Sequence, residues 1–352
     1  MTANNNFIIE DEFSFLKIGT AHNKKRALKV MSNMIKNPGK SIFSQSATRS
    51  DAKAAYQFLN NENLDMDELA NMHRFRTIER IVETGKPILL PQDTTYAIYH
   101  TQEKDGMSKT HDKAKGVKLH NCIAITPEGL NLGLMYQKSF GNDLSEEEFL
   151  SDYERKSRPI EDKESYRWIE SFIESSIYIP HDIDVTVISD REGDIYEYMS
   201  VVVSHKRHFL TRIAQNRMTD DSQRILDSIQ KEQSQGTICV QVPRDSKNKE
   251  KKRDAILEVR FKEYKIKSPK ILSKNKKLPK SLTVWVVHTK EVNPPAGIKP
   301  IEWFLMTNRT IKNFDEAVEQ IKNYTQRWKI ERFHYVLKTG GCNIEKIQAR
   351  SM

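Results

Sequence analysis

The hydrophobic period of this chain changes near residue 86, and that change limits the folds open to it. Up to that point apolar residues recur at helical spacing. KKRALKVMSNMIKN predicts a helix that ends at NPGK, DAKAAYQFLNNENL a second with Asp51 as N-cap, and LDMDELANMHRFRTIERIVETG a third. Residues 13–75 therefore predict a small helical unit, with Lys24, Lys25, Arg26, Lys29, Arg49 and Lys53 giving it a positive face. After residue 86 the pattern is that of strands. KPILLPQDTTYAIYH is one, and KLHNCIAITPEGLNLGLMYQ is two, joined at Pro127-Glu128-Gly129. An amphipathic helix (EDKESYRWIESFIESS), a strand, turn and helix (IDVTVISDREGDIYEYMSVVVS) and a short strand (RHFLTRI) follow. Three strands, helix, strand, helix, strand is the order of a layered α/β domain with a mixed sheet. Residues 225–307 interrupt it with β-type segments between Lys-rich loops, and one long helix from about Phe314 to Lys338 closes the chain.

Charge narrows the partners. The 352 residues carry a net charge of +9, and the fifteen Lys and Arg against five Asp and Glu in residues 244–280 leave the remainder near −1. Such a basic arm suits a polyanion. No apolar run approaches the ~18–20 residues that span a bilayer, so no membrane partner is expected. The N-terminus, MTANNNFIIEDEF, lacks the basic and apolar regions of a secretory signal. Cys122, Cys239 and Cys342 are far apart and unpaired in pattern, which fits a reducing cytoplasm, and the ten histidines show no metal-binding spacing.

Three acidic residues stand out. Asp93 lies inside a strand among apolar neighbours, where a carboxylate is costly unless paired. Asp190 directly follows the apolar strand VTVIS, at the end where α/β sheets place their ligand crevices. Glu331 is on the last helix, where Tyr324, Arg327, Glu331 and Lys338 fall within an arc of roughly 60° at helical spacing. Each has an ordinary structural alternative. Asp93 suits a turn or bulge, Asp190 a helix N-cap, and Glu331 an i,i+4 pair with Arg327. Together, three carboxylates from separate elements can hold two hard divalent cations, the arrangement that drives phosphoryl transfer.

Y-x2-R-x3-E-x6-K, formed by Tyr324, Arg327, Glu331 and Lys338, resembles the signature of bacterial insertion-sequence transposases of the insertion-sequence-four family. QDTT around Asp93 and SDREGDIYEY around Asp190 resemble that family's two flanking acidic motifs. The resemblance implies an α/β fold with a ribonuclease-H-like mixed-sheet core, a β-rich insertion and a small N-terminal helical domain. Its boundaries would be 1–75 for transposon-end DNA binding, 76–224 for the first part of the core, 225–307 for the insertion and 308–352 for the last helix. It implies cut-and-paste transposition in the bacterial nucleoid, acting on double-stranded DNA at transposon ends and on target DNA. Asp93, Asp190 and Glu331 would be the catalytic D-D-E triad, holding two Mg²⁺ ions with Mn²⁺ as a substitute. Arg327 and Lys338 would grip phosphates, Tyr324 would bond or stack, Arg212 would contact the same DNA, and Trp303 would receive a flipped base.

The sequence stops 21 residues after Glu331, whereas the family continues into a helical region that forms the dimer on DNA. A truncated chain without that dimer is the expectation. Two readings stay open beside full transposition: a cleavage-inactive end-binding protein acting as a regulator or remnant, and a ribonuclease-H-like nuclease without end specificity.

Overall fold

The computed structural model describes residues 9–99, 108–109, 115–140, 151, 154, 157–242, 252–272 and 278–346. Residues 244–251 and 273–277 of the Lys-rich stretch 244–280 lie outside the described residues.

The N-terminal unit holds helices α1 (Ala21–Lys36), α2 (Ile42–Gln45) and α3 (Arg49–Leu59), followed by the longer α4 (Asp67–Thr84). Ala27, Val30, Ala55, Phe58, Leu64 and Met72 meet in a small apolar core of their own. The cap of α3 differs from expectation. Thr48 is the N-cap, its hydroxyl accepting from Asp51 N–H at 3.1 Å. Asp51, in the first turn, instead accepts from Lys29 at 2.5 Å. Both residues suit an N-cap, and Thr48 takes the position because it lies where the backbone is still extended. Helix α4 runs without a break through residue 75 and ends at Gly85, whose φ of +59° is the left-handed cap conformation.

One mixed sheet, ten-stranded among the described residues, follows. Its strands are β1 (Ile88–Ile98), β2 (Ser108–Lys109), β3 (Lys115–Ile125), β4 (Asn131–Phe140), β5 (Val185–Ser189), β6 (His208–Arg212), β7 (Gly236–Val242), β8 (Arg253–Lys267), β9 (Ser281–Glu291) and β10 (Glu302–Thr307). The order is β2-β3-β1-β5-β6-β10-β9-β8-β7, with β4 also on β3. Strands β1, β3 and β4 are antiparallel, and β1, β5 and β6 are parallel. The expected order of three strands, helix, strand, helix, strand is observed with one addition, the two-residue β2 between the first two strands, and α5 (Tyr166–Ser176) and α6 (Tyr196–Ser204) are the crossovers. After α7 (Ile225–Lys231), the β-rich segment does not fold apart. Strand β10 pairs with β6 (Leu305 with Arg212, Thr307 with Leu210), so β7–β10 extend the same sheet.

Side-chain alternation gives the sheet two apolar faces. Ile88, Leu90, Val185 and Val187 face Trp168 and Phe172 of α5 and Tyr198 of α6. Leu89, Ile188, Leu210 and Leu305 face Ile321 and Tyr324 of α8 (Phe314–Thr325) and Ile330 of α9 (Trp328–Lys338). Asp93, Asp190 and Glu331 are reached from this second face. The long final helix expected from the sequence is two. Arg327 and Ile330 N–H groups bond to the carbonyls three residues back, at 3.0 and 3.1 Å, a tightened turn at Gln326–Arg327. No described helix is long and apolar enough to cross a membrane.

Candidate functional site

Strand register brings the two aspartates together. The β1–β5 ladder ends with Pro91 opposite Ile188, and proline has no N–H to carry it further. Asp93 and Asp190 each lie two residues beyond that pair, Asp93 still within β1 and Asp190 just past the end of β5. The β5–β6 ladder pairs Ser189 with Thr211, which sets Arg212 level with Asp190 in turn. Asp190 also caps the short turn Arg191–Gly193, its Oδ1 accepting from Glu192 N–H at 2.8 Å. The structural role and the placement at the crevice coexist.

Helix α9 supplies Glu331 in its first turn, half-exposed. Arg327, on the tightened turn, stands between the acids. Its Nη1 lies 3.4 Å from Asp93 Oδ2 and its Nη2 bonds Glu331 Oε1. Asp93 is pushed up to about 7, chiefly by burial. Arg327 and the Thr94 N–H oppose this, while Asp190 and Glu331 add to it. One guanidinium therefore does not balance the three carboxylates, and hard oxygen donors with surplus negative charge suit a divalent cation. In donor chemistry Asp93, Asp190 and Glu331 fit such an ion. Among the described residues, however, no three acidic, histidine or cysteine side chains close into a ligand set.

Lys338 is not brought into this cluster. It lies seven residues beyond Glu331, ~10 Å along the helix, and pairs with Glu345 at 3.4 Å. Glu345 also accepts from Ile98 N–H at 3.0 Å. The shared helical arc predicted for all four signature residues is interrupted by the tightened turn at Gln326–Arg327, while Glu331 and Lys338 remain on one helix.

Tyr324, Arg212 and Trp303 are brought together. Tyr324 is buried, with its ring edge-on to Trp303 at 5.8 Å. Burial lowers Arg212 from its usual range, with nearby Tyr324 and Asp190 opposing that and Arg191 and Arg327 reinforcing it. All four of Arg212, Trp303, Tyr324 and Arg327 line a groove of about 1020 Å³ that runs on past β7 and Lys252. An apolar wall with basic and aromatic groups at one end matches the chemistry of a nucleic-acid strand, stacking surface and phosphate partners together.

The basic face of the N-terminal unit is only partly available. Asp51 holds Lys29 at 2.5 Å and Arg26 at 3.9 Å, and Lys24 donates to Ser14 O. Lys25, Arg49 and Lys53 are exposed. Residues 7–64 match the transposase DNA-binding family. The fold as a whole is similar to piggyBac transposase in its cryo-EM synaptic complex with hairpin DNA, at 9% identity and a TM-score of 0.40. The similarity spans 94% of this chain and 64% of the piggyBac chain; at that score it carries no inference about chemistry. The N-terminal unit is fastened to α4 through Glu12, which meets Arg80 at 2.7 Å and His73 at 2.6 Å on that helix.

Two site residues escape the sequence pattern. His334, one turn after Glu331, is buried with Nδ1 at 3.9 Å from Asp93 Oδ2. Asn121, buried on β3, is the direct cross-strand partner of Asp93. The polar pair His120-Asn121 inside an apolar strand was the available signal, as was a histidine three residues after Glu331.

Proposed function

We propose that this chain is a DNA transposase of the insertion-sequence-four type, with Asp93, Asp190 and Glu331 as its metal-binding D-D-E triad on a ribonuclease-H-like core. The observation that carries the reading is that Asp93 and Asp190 each lie two residues beyond the last pair of the parallel strands β1 and β5, with Arg327 joining Asp93 to Glu331. The match of residues 7–64 to a transposase DNA-binding family supports DNA ends as the substrate. The strand order β4-β3-β1-β5-β6, antiparallel then parallel, supports the ribonuclease-H-like core.

In this reading Asp93, Asp190 and Glu331 would hold Mg²⁺, which would supply Lewis-acid activation at the phosphodiester. Arg327 exchanges its carboxylate partners for a DNA phosphate, since a guanidinium forks equally well to either. Arg212 holds the same strand. Trp303, backed by Tyr324, offers a stacking surface to a base drawn from the duplex, which offsets an unstacking cost of a few kcal/mol.

The test incubates the protein with labelled duplexes taken from the DNA flanking its reading frame, with Mg²⁺ or Mn²⁺, beside an Asp190→Asn control. Metal-dependent nicking at the element's ends, lost in the control, is the expected result; absence of nicking, or equal nicking by the control, defeats the catalytic reading. A second reading, an end-binding protein that does not cut, rests on the match of residues 7–64 to a transposase DNA-binding family. It predicts end-specific binding with no cleavage in either metal.

A further inference from the structure

Helix α9 is exposed along one side that the cleavage reading leaves unused. Trp328, Lys329, Arg332, Tyr335 and Val336 fall there within an arc of roughly 120° at helical spacing, while Ile330 and His334 are buried on the opposite side. Trp328 keeps 52% of its surface in water, Tyr335 50% and Val336 40%. Large apolar groups left bare together on one helix face mark a contact surface. Each ring carries a cation of the same helix. Lys329 Nζ lies 5.2 Å from the Trp328 ring centre, and Arg332 Cζ 4.8 Å from that of Tyr335. Among the described residues no carboxylate lies within ion-pair distance of Lys329 or Arg332, whereas Lys86, Lys138, Lys262 and Arg327 each hold one. Glu331, at the rim of the stripe, is taken by Arg327.

The stripe is braced at both ends. The tip of the β3–β4 hairpin lies against Lys329, so that a Cβ on Gly129 would come 3.0 Å from Lys329 Cε. The Tyr335 ring rests on the backbone of Gly340, where a Cβ would come within 2.6 Å of it, and Gly340 N–H donates to Tyr335 O at 2.7 Å. Side chains placed in advance lose little freedom when a partner binds.

Charge and shape select the partner. Two cations without acids suit phosphates, and the rings beside them offer apolar contact to the sugars between. A convex helix face has no channel in which to thread a single strand. It can lie along the outside of a duplex. Trp328 also lines the groove that contains Arg212, Trp303 and Arg327, so the stripe begins where that groove opens. We propose that the Trp328–Val336 face of α9 is a sequence-independent binding site for the backbone of duplex DNA, gripped through Lys329 and Arg332. The proposal rests on the reading of this chain as a DNA-binding transposase and is independent of the metal triad.

The experiment measures the affinity of the full chain for a fluorescein-labelled duplex of arbitrary sequence, by anisotropy in EDTA, at about 50 and 200 mM salt. Lys329→Gln with Arg332→Gln removes two phosphate contacts. At a slope of ~0.9 per contact, the affinity lost between the two salts should be about tenfold smaller than in the parent. Lys206→Gln with Lys231→Gln removes the same charge from exposed positions following α6 and ending α7, which pack on the other face of the sheet. That pair should leave the salt dependence within about twofold. Tyr335→Leu should weaken binding about two- to fivefold, and Tyr335→Phe, which keeps the ring under Arg332, should bind as the parent does.

Failure of the parent to bind would bring down the DNA reading and this proposal together. Binding by the parent with unchanged salt dependence in the α9 double variant overturns the proposal alone. An equal change in both double variants overturns it too, because net charge is then the cause. So does a lowered melting temperature of the α9 double variant, which assigns the stripe to the fold. A shift from dimer to monomer in sedimentation, with DNA affinity intact, gives the face to a second copy of this chain instead.

Discussion

Glu12 and Asp93 are both partly buried carboxylates that face an arginine, and they respond in opposite directions. Glu12 is first raised by burial, but hydrogen bonds from His73 and Arg80 outweigh this and bring it down to about 2. Asp93 is raised by burial as well, and its one guanidinium, shared with Glu331, leaves it at about 7. The difference lies in the count of charges. At Glu12 two donors serve one acid, whereas at Asp93 one donor is divided among acids that also repel each other. The first arrangement fastens the N-terminal unit to α4. The second leaves a charge deficit that a cation can fill, and the fold bears its cost in the absence of one.

The largest effect should come from removing the deficit. Asp93→Asn is expected to reduce end cleavage by at least ~10³-fold, the scale on which a two-metal site operates. In EDTA at pH 8 the same change should stabilise the fold, on the order of 2 kcal/mol by denaturant titration. The sign follows from linkage. A carboxyl at about 7 in the folded chain and near 3.8 unfolded makes stability fall as pH rises through that window, then level off. The gain from Asp93→Asn should therefore vanish below pH ~4. A variant less stable than the parent at pH 8 would place Asp93 with Glu12.

Glu12→Gln should do the reverse. Its carboxyl is lower folded than unfolded, so its contribution is complete above pH ~4.5 and is lost as the pH falls toward 2. The substitution should cost about 1–2 kcal/mol at pH 7, after allowing for solvent screening. Melts at pH 7 and pH 3 check it: the difference should shrink by roughly half at pH 3, and one undiminished there would show that packing, not charge, fastens the unit.

Arg327→Met tests the shared guanidinium. With it gone, Asp93 loses the main influence holding it down, and stability at pH 8 relative to pH 6 should drop by about 1 kcal/mol. Mn²⁺ then has no cation to displace, so affinity for the metal alone should rise while DNA cleavage falls. A fall in both would mean that Arg327 orders the site more than it occupies it.

Much of this contrast was legible in the chain, for local reasons. A carboxylate in the middle of LLPQDTTYA, and another directly after VTVIS, are positions that strand pattern alone can locate. What depends on distant pairing was not. Nothing in IEWFLMT says that β10 would lie beside β6 and carry the β-rich segment into the main sheet. The tightened turn at Gln326–Arg327 contains neither Gly nor Pro, and both residues are good helix formers. The break shows only in the backbone bonds. Asp51 was read as the cap of α3 because Thr48 and Asp51 both suit that place, and position relative to the first turn separates them.

Lys338 supplies the smallest effect and the finest test of the contrast. The resemblance joined it to Arg327 and Glu331, yet in the fold its partner is Glu345, one cation to one acid rather than one cation divided between two. Both side chains are about a quarter exposed, so their attraction is screened and worth at most ~1 kcal/mol. Lys338→Ala should leave Mn²⁺ affinity within about twofold. Its effect on DNA should be that of one lost phosphate contact, lowering the salt dependence of binding by about one charge and weakening all sequences alike. Cleavage at saturating DNA should then change little. A large loss of cleavage with unchanged Mn²⁺ affinity would mean that Lys338 leaves Glu345 for the scissile phosphate once DNA is bound. Glu345→Gln should then speed cleavage, by freeing the lysine in advance.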